Sequence, residues 1–424
     1  MKTVKFYTLG CKVNQYETQE IRERLLTAGF HERDNGRRSD IYVINTCTVT
    51  QRADSESLNL IRKARNENPK AKIVVTGCLA ELDKGKIKEQ GGVNLIVRNK
   101  DKNRIAQLLN GSNELNGNNE INEKGISRFS GHTRAFLKIQ DGCNNFCSYC
   151  KVPLVRGASR SKPLKDIIQE AGRLSANGFK EIVLSGICLG AYGRDLNRKV
   201  TLVNVIEALE KIEGLLRIRL SSIEAFDLSD ELIYKIAEAK KVCPHLHIPL
   251  QSGDSQILKE MNRRYTEADY IDLIHKLRSK IPQIAITTDA LVGFPAETEE
   301  NFQNTLNLVK KVLPLKTHIF PYSQREGTAA ANFNYRINPK IISQRISLLK
   351  EVAENCSLEY KKQFLNKDMQ VLIEGRLRDE PELWEGYSDN YIKVIIRSKR
   401  NLKNQLISAK FKQITKDYIQ AYFC

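Results

Sequence analysis

The sequence predicts a multidomain α/β protein with an N-terminal doubly wound parallel α/β domain, a partial (β/α)6 barrel and a C-terminal small OB-like antiparallel β-barrel. Strand and helix patterns alternate over residues 1–109. A longer strand–helix unit then recurs between about residues 129 and 360, and short alternating strands follow residue 363. A length of 424 residues suits roughly three domains, each large enough for its own core.

The N-terminal part contains four predicted strands, at residues 4–9, 41–45, 72–76 and 93–97, with helices predicted at 14–28, around 58–65 and at 102–109. Cys11, Cys47 and Cys78 each follow one of the first three strands. The carboxyl ends of parallel strands share one rim, which is where open α/β sheets bind ligands. Burial as structural cysteines explains any one of them. Three in equivalent positions favour a cluster-binding site.

The segment from Asn110 to Ile126 is rich in Asn, Gly and Glu, and it offers little to bury. We therefore predict an exposed linker there. The predicted boundaries are 1–112 for the N-terminal domain, 113–128 for the linker, 129–360 for the barrel and 363–424 for the C-terminal domain.

Six strands and their helices predict the partial barrel, whose active site belongs at the carboxyl ends of the strands. The predicted strands are 135–139, 181–185, 216–220, 245–249, 284–291 and 317–320, and a helix at 340–360 closes the core. The C-terminal strands are predicted at 370–374, 391–396, 406–410 and 418–423.

Cys143, Cys147 and Cys150 form a C-x3-C-x2-C group immediately after the first barrel strand. Three thiolates on a [4Fe–4S] cube leave one iron without a protein ligand, and an open iron can do chemistry. A zinc knuckle is the alternative, but it needs a fourth Cys or His nearby, and none lies between residues 151 and 186. The odd number of cysteines in this group of three also argues against disulfides.

Composition is ordinary for a globular protein, with 41% hydrophobic and 28% charged residues. The N-terminus lacks the apolar stretch of a signal peptide, and no run is long enough to span a bilayer. We expect a cytoplasmic protein without a membrane partner. The net charge of +18 is spread over the chain rather than gathered in a tail, which suits a large folded RNA.

The cysteine spacing at 143–150 resembles that of the radical S-adenosylmethionine (SAM) enzymes. With the second triplet and the small terminal barrel, the whole chain resembles the methylthiotransferases. The segments that carry the resemblance are 9–18 (LGCKVNQYET), 143–150, Arg156-Gly157 with Arg160-Ser161, 249–253 (PLQSG), 292–298 (VGFPAET), 320–323 (FPYS), and 386–391 (GYSDNY), which is similar to the RNA-binding TRAM domain. Ala296 departs from the glycine expected before Glu297.

The residues that follow Cys11 resemble those of the methylthiotransferase branch that acts on N6-threonylcarbamoyladenosine at tRNA position 37. This resemblance implies two [4Fe–4S] clusters and SAM as cofactors, the tRNA anticodon stem-loop as partner, and a reducing electron donor such as flavodoxin or ferredoxin. It implies a methylthio group placed on C2 of the modified adenine. An aromatic C2–H is too weakly acidic for a side-chain base, since general base catalysis offers only ~10²–10⁴-fold, so the cofactor must supply a radical route.

The resemblance also assigns roles to individual residues. Cys143, Cys147 and Cys150 would hold the cluster that cleaves SAM, and Cys11, Cys47 and Cys78 the cluster that holds or donates sulfur. The SAM pocket would consist of Tyr149 on the adenine, Gly186 near the methionyl amino group, Ser222, Glu224 and Gln251 at the ribose, and Gly293 against the adenine.

Two other functions are compatible with parts of the pattern. The same chemistry could act on isopentenyladenosine in tRNA or on a ribosomal protein. A catalytically silent iron–sulfur RNA-binding protein is a further alternative, although such a protein has no use for a SAM pocket.

Several side chains remain open between a functional and a structural interpretation. Cys188, His245 and His247 are predicted as packed side chains rather than ligands, and Cys243, Cys356 and Cys424 as structural. Arg156, Arg160 and Lys162 could meet phosphate or lie at the surface, and Trp384 and Tyr387 could stack on bases or belong to the barrel core.

Overall fold

The computed structural model describes residues 2–33, 38–111, 125–196 and 200–423. Most of the predicted linker and Cys424 lie outside the described residues. The N-terminal elements are β1 (Thr3–Thr8), α1 (Lys12–Thr27), β2 (His31–Glu32), β3 (Ile41–Thr46), α2 (Gln51–Glu67), β4 (Lys72–Gly77), α3 (Cys78–Leu82), α4 (Lys84–Glu89), β5 (Leu95–Ile96) and α5 (Ile105–Asn110).

The N-terminal strands form a five-stranded parallel sheet in the order β2-β1-β3-β4-β5. One face packs on α1 and α5 through residues such as Ile21 and Leu109, and the other packs on α2 and α3 through residues such as Ile61 and Leu79. The sheet is therefore doubly wound. Its strand order reverses between β1 and β3, and ligands of such sheets bind outside the carboxyl ends of strands at that switch point.

The middle part follows with β6 (Ala135–Lys138), β7 (Gln140–Asp141), α6 (Val152–Arg156), β8 (Arg160–Ser161), α7 (Leu164–Ala176), β9 (Glu181–Ser185), α8 (Leu202–Glu210), β10 (Arg217–Leu220), α9 (Asp230–Glu238), β11 (His245–His247), α10 (Ser255–Glu260), α11 (Glu267–Lys280), β12 (Ala285–Val292), α12 (Glu299–Val312), β13 (Lys316–Pro321) and α13 (Pro339–Lys362). Two parallel sheets, β6-β9-β10 and β11-β12-β13, are joined by the isolated parallel bridges Ile218↔Val242 and Ser222↔His247. Together they form the predicted partial barrel of six strands.

Apolar and charged residues alternate on the barrel strands. Ile218 and Leu220 of β10 and Leu246 of β11 join the hydrophobic core shared with the surrounding helices. Arg219 and His245 come from the intervening positions, and both are buried but lie outside that core. Because successive strand residues point to opposite faces, these charged side chains line the inside of the barrel.

The C-terminal strands are β14 (Asp368–Arg376), β15 (Leu383–Ser388), β16 (Lys393–Arg397), β17 (Leu406–Ile414) and β18 (Ile419–Phe423). They form a closed barrel in the order β14-β15-β16-β18-β17. The sequence pattern did not predict β15. One of the pairings, β16 with β18, is parallel, whereas the prediction was an antiparallel barrel.

The C-terminal barrel packs on the amino-terminal ends of the middle strands. Arg217 donates to the Gln370 carbonyl at 2.6 Å, and Arg219 donates to the Asp389 carbonyl at 2.8 Å. Tyr391 stacks on His245 with ring centroids 4.5 Å apart. The C-terminal barrel thus closes one end of the partial barrel.

Most predicted elements are confirmed within one or two residues, including β1, β9 and β12. The helix predicted at 102–109 is instead a 3₁₀ helix, Asn99–Arg104, that continues into α5. The predicted fold class is confirmed. Among the described helices, none is long and apolar enough to cross a membrane.

Candidate active site

The C-x3-C-x2-C segment forms the loop between β7 and α6, at the carboxyl end of the first barrel strand. Each of its sulfur atoms accepts a hydrogen bond. The Asn145 N–H donates to Cys143 Sγ at 3.4 Å, the Val152 N–H to Cys150 Sγ at 3.5 Å, and Arg263 Nη1 to Cys147 Sγ at 3.5 Å. Such donors stabilise thiolate over thiol. Three soft sulfur ligands on one short loop fit an iron–sulfur cube with one open iron.

The three thiols differ in acidity. A hydrogen bond from Cys188 lowers the pKa of Cys143 to about 7, against the opposing effect of burial. Burial raises the pKa of Cys150 to about 12. Burial also raises the pKa of Cys147, and the charge of Arg263 counteracts it.

Cys188 lies in this site rather than in a remote core. Its Sγ lies 3.5 Å from Asp227 Oδ2 and accepts a hydrogen bond from Asn145 Nδ2 at 3.5 Å. Its N–H donates to Gln140 Oε1 at 2.8 Å. The residue is buried, as we expected of a packed thiol, but it is packed against the first ligand of the loop.

The second triplet lies at the carboxyl ends of β1, β3 and β4. Cys11 is the N-cap of α1, Cys47 follows β3, and Cys78 is the first residue of α3. Gly10 has φ +96°, and a Cβ there would lie 3.0 Å from Cys47 Sγ, so the chain needs glycine where β1 and β3 approach.

Electrostatic coupling shows that these three sulfurs are neighbours. Burial, together with the charges of Cys78 and Cys11, raises the pKa of Cys47 to about 11. Burial raises the pKa of Cys78 as well, while Arg156 and Lys102 lower it. The structure therefore brings Cys11, Cys47 and Cys78 together, with two cations close to Cys78.

Glu17 of α1 joins the two cysteine regions. Its carboxylate accepts from Arg156 Nη1 at 2.8 Å, from Lys138 Nζ at 3.0 Å and from Lys102 Nζ. Although burial opposes ionisation, these three cations hold the pKa of Glu17 well below its usual range. Arg156 also acts on the charge of Cys78, so it reaches from the barrel to the N-terminal triplet.

Tyr149, Glu224 and Gly186 surround the barrel cysteines. Tyr149 packs against the apolar cluster of Met261, Leu291 and Phe294, and burial raises its pKa well above the usual value. Glu224 forms an ion pair with Arg263, the same arginine that donates to Cys147. Gly186 follows β9, where a Cβ would lie 2.9 Å from Gln140 Oε1.

Gln251, Ser222 and Gly293 follow three of the other strands. Gln251 has φ +63°, an uncommon conformation for a non-glycine residue that often marks a functional site. The backbone of Ser222 forms an isolated parallel β-bridge with that of His247. Its neighbour Ser221 is buried, and the Ser221 hydroxyl has no hydrogen-bond partner among the described residues. Ser221 is thus adjacent in the chain to Ser222, one of the predicted ribose contacts.

Gly293 has φ +81°, and a Cβ there would lie 2.7 Å from the Ile342 side chain of α13. Its N–H donates to Glu297 Oε2 at 2.9 Å. Packing against α13 is thus one reason for glycine at this position, and the contact with adenine stays a prediction. Nearby Ala296 has φ +65°, which explains why glycine was expected there.

The basic residues of the loop have internal partners. Arg156 is buried between Glu17 and Asp141, and Lys162 pairs with Glu170 and Tyr16. Only Arg160 of the three is exposed. Trp384 is a core residue of the C-terminal barrel, and its indole N–H donates to the Ser398 carbonyl at 3.1 Å. Tyr387 stacks on Tyr391 and lies under Arg134.

Charged groups inside the barrel were not identified from the sequence. His247 Nε2 lies 3.2 Å from Asp289 Oδ2, and these two residues and His318 place ligand-type atoms within 4.8 Å of one another. Burial, with Arg134 and Arg219 nearby, lowers the pKa of Lys12, and Tyr391 raises it. The alternation of charged and apolar residues in 217–220 and 245–247 is the sequence feature from which charged groups inside the barrel could have been predicted.

Comparison with protein families agrees with this architecture. Residues 137–309 match the model of the radical SAM superfamily, and residues 3–98 match an uncharacterized protein family, UPF0004. The chain is 37% identical over 436 residues to a threonylcarbamoyladenosine tRNA methylthiotransferase of Bacillus subtilis, with 100% of this chain and 96% of that protein covered. This chain belongs to the radical SAM tRNA methylthiotransferase family.

Relatives in two branches of the methylthiotransferase family have similar identity. The protein of the same name from Thermotoga maritima is 38% identical, with 93% of this chain and 91% of that protein covered. A tRNA-2-methylthio-N(6)-dimethylallyladenosine synthase of Acetivibrio thermocellus is 34% identical, with 96% and 88% covered. This methylthiotransferase is thus an enzyme of the transferase class, and its family uses SAM and a [4Fe–4S] cluster.

A solved structure is similar to this methylthiotransferase in fold. It is the radical S-adenosylmethionine methyltransferase TsrM from Kitasatospora setae, with a TM-score of 0.57 and 13% identity. The match covers 83% of this chain and 91% of that chain.

Proposed function

We propose that this protein places a methylthio group on C2 of N6-threonylcarbamoyladenosine at position 37 of tRNA. The observation that carries this proposal is the position of Glu17 and Arg156. They form a buried ion pair across the boundary between the N-terminal sheet and the barrel, and Arg156 reaches the Cys78 region from the helix that follows Cys150. Two three-cysteine sites that share this boundary suit a reaction that needs two centres.

The choice of substrate rests on the N-terminal motif more than on overall identity. Relatives named for threonylcarbamoyladenosine are 35–38% identical, and relatives named for dimethylallyladenosine are 34–37% identical. Overall similarity therefore does not separate the two substrates. The segment Cys11-Lys12-Val13-Asn14 with Glu17 is the part of the chain that resembles the threonylcarbamoyladenosine branch.

Both cysteine triplets have the donor set for a [4Fe–4S] cluster with one free iron. We propose that Cys143, Cys147 and Cys150 hold one cluster and Cys11, Cys47 and Cys78 hold the other. When bound, these groups and SAM supply the radical and the sulfur that no side chain can provide. The remaining residues bind, orient and shield the reactants.

Arg263 and Glu224 are positioned to organise the SAM pocket. Arg263 is buried, and it contacts Cys147 Sγ, the Glu224 carboxylate and the Tyr265 hydroxyl at 3.2 Å. Its positive charge beside Cys147 favours the thiolate. We propose Tyr149, Gly186, Ser222, Gln251 and Gly293 as the further SAM contacts, with the Ser221 hydroxyl as an added candidate.

We propose three domains with the boundaries 1–112, 129–360 and 363–424, joined by a linker at 113–128. The partners are the tRNA anticodon stem-loop, for which a net charge of +18 provides attraction to phosphate, and a reducing protein such as flavodoxin or ferredoxin. Since tRNA and such reductants are cytoplasmic, we propose that the protein acts in the cytoplasm.

Mass spectrometry of tRNA nucleosides from cells that lack the protein tests this proposal. We expect the 2-methylthio form of threonylcarbamoyladenosine to disappear and the isopentenyl analogue to remain. Complementation by the intact chain should restore it, and the Cys143→Ala variant should not. Loss of only the isopentenyl product would show that the substrate is the other nucleoside, and unchanged tRNA would contradict a tRNA substrate.

A further inference from the structure

Three side chains with metal-ligating atoms lie together in the partial barrel, on strands that carry none of the six cysteines of the two triplets. His247 is on β11, Asp289 on β12 and His318 on β13. The strand register places Asp289 opposite His318, and His247 opposite Thr287, two residues before Asp289. Because alternate residues of a strand point to the same face, these side chains project together into the barrel interior.

The atoms that can bind a metal ion are close enough to share one. His247 Nε2 lies 3.2 Å from Asp289 Oδ2. One ligand-type atom from each of the three residues lies within 4.8 Å of the other two, and the rings of His247 and His318 have centroids 5.9 Å apart. Nitrogen and oxygen ligands lie about 2.0–2.2 Å from a zinc ion and hence roughly 3–4 Å from one another. A small movement of side chains therefore suffices to close the site.

A hydroxyl group holds the second ring nitrogen of His247. Thr287 Oγ1 lies 3.0 Å from His247 Nδ1 and 3.0 Å from His245 Nε2. A hydroxyl has one proton, so it donates to one ring and accepts from the other. When His247 Nδ1–H donates to Thr287, the lone pair of His247 lies on Nε2, the atom that faces Asp289. Histidines that bind metals usually donate their other ring N–H to an acceptor, which fixes the orientation of the ring.

The donor set and the surrounding charges select the class of metal. Imidazole nitrogen suits zinc, whereas magnesium and calcium prefer sets of carboxylate and carbonyl oxygens. The site has a single carboxylate, and the charges of Lys12 and Lys316 also act on His318, which disfavours an ion held by charge alone. We propose that His247, Asp289 and His318 bind one divalent ion of the zinc class.

The proposed site leaves room for a further ligand on the metal. The side chains of His247 and Asp289 are 17% and 26% exposed, and His318 is also only partly buried. Two histidines and one carboxylate with an open fourth position are the arrangement of catalytic zinc sites, whereas structural sites have four protein ligands. The open position would take water or an oxygen atom of a molecule that enters the barrel.

Binding of Zn²⁺ to the cluster-loaded enzyme tests the inference, because iron then occupies the cysteines that would otherwise compete for zinc. The enzyme is dialysed anaerobically against buffered free Zn²⁺ in the micromolar range, and its zinc and iron are counted by mass spectrometry. Wild type should retain a single zinc ion per chain without loss of iron. X-ray absorption at the zinc edge should show imidazole and oxygen neighbours at about 2.0–2.2 Å and no sulfur at about 2.3 Å.

Variants of the three ligands should lose the zinc ion and keep their iron. His247→Ala, Asp289→Asn and His318→Ala should each weaken zinc binding by more than about 100-fold, since loss of a hydrogen-bond partner of a ligand already costs about 10- to 100-fold. His275→Ala is the matched control, because this histidine is exposed on the outer helix α11, and it should bind zinc like wild type. The iron content of each variant shows that its clusters, and hence its fold, are intact.

Wild type that retains no zinc would overturn the inference, and so would sulfur neighbours in its absorption spectrum. Unchanged zinc affinity in the three ligand variants would overturn it as well. Should a variant fail to fold, the spectrum of wild type still decides, because it reports the ligands directly. These measurements do not depend on methylthiolation, so a failure of the proposed function would leave their outcome unaffected.

Discussion

Arg156 donates to Glu17 Oε1 at 2.8 Å, and the two side chains are 1% and 5% exposed. They come from different parts of the chain, since Glu17 lies on α1 of the sheet and Arg156 ends α6 after the barrel cysteines. Lys102 and Lys138 also pair with Glu17, and Asp141 pairs with Lys138 and Arg156, so two carboxylates face three cations. This cluster links α1 of the sheet to Lys138 and Arg156 of the barrel.

Glu17→Gln should destabilise the protein strongly. Removal of one partner from a buried ion pair costs about 3–5 kcal/mol, because the remaining charge is left without compensation. The urea midpoint of the metal-free protein measures the loss. Glu20→Gln on the same helix is the control, since its pair with Arg24 is more exposed and is worth at most about 1 kcal/mol. Equal shifts for both variants would contradict the role of the buried cluster.

The stabilisation from Glu17 should depend on pH. Its pKa in the folded protein lies well below the ordinary glutamate value of 4.5, so the stabilising contribution is fully present above pH 4.5. It is lost as the pH falls through the folded-state pKa. The stability difference between wild type and Glu17→Gln should therefore shrink as the pH is lowered below that value. A constant difference down to the lowest pH at which the native protein survives would show that Glu17 does not ionise as described.

Cys11→Ala should separate the two cysteine sites. Iron and sulfide should fall from about eight each per chain to about four, and methylthiolation should be lost while SAM cleavage remains. Cys356→Ala is the control, because Cys356 is buried on α13 with its thiol 3.6 Å from the Val309 carbonyl. Loss of SAM cleavage in Cys11→Ala would mean that the two sites do not have separate tasks.

Alkylation of the metal-free protein should follow the acidity of the thiols. Because the pKa of Cys143 is about 7 and that of Cys150 about 12, Cys143 should carry more thiolate at neutral pH. Mass spectrometry after brief iodoacetamide treatment should show faster labelling of Cys143. Cys188→Ala removes the hydrogen bond that lowers the Cys143 pKa, so labelling of Cys143 should slow. The same rate in Cys188→Ala would exclude that hydrogen bond as the cause.

Ala296→Gly should stabilise the protein, by up to about 1 kcal/mol. Ala296 has φ +65°, and relief of the left-handed conformation exceeds the entropy cost of glycine. Ala208→Gly, inside helix α8, should have the opposite sign, with a loss of about 1 kcal/mol. The thermal midpoint distinguishes them, and a loss of stability in both variants would refute the argument.

The sequence alone determined the local chemistry of this protein. The spacing at 143–150 and the placement of Cys11, Cys47 and Cys78 after strands follow from local pattern, because strand ends and turns are set by near neighbours in the chain. The same local information predicted the strands of the sheet and of the partial barrel. It did not predict β15, whose position depends on closure of the C-terminal barrel rather than on its own residues.

Only the tertiary structure decided which charges meet. The sequence left Arg156 as a possible phosphate contact. In the structure it is buried in an ion pair with Glu17, which is distant in the chain. Lys12, the first residue of α1, pairs with no carboxylate in the described part of the chain, and burial lowers its pKa. The free energy of a charge depends on burial and on partners distant in sequence, so no local pattern could have distinguished these two residues.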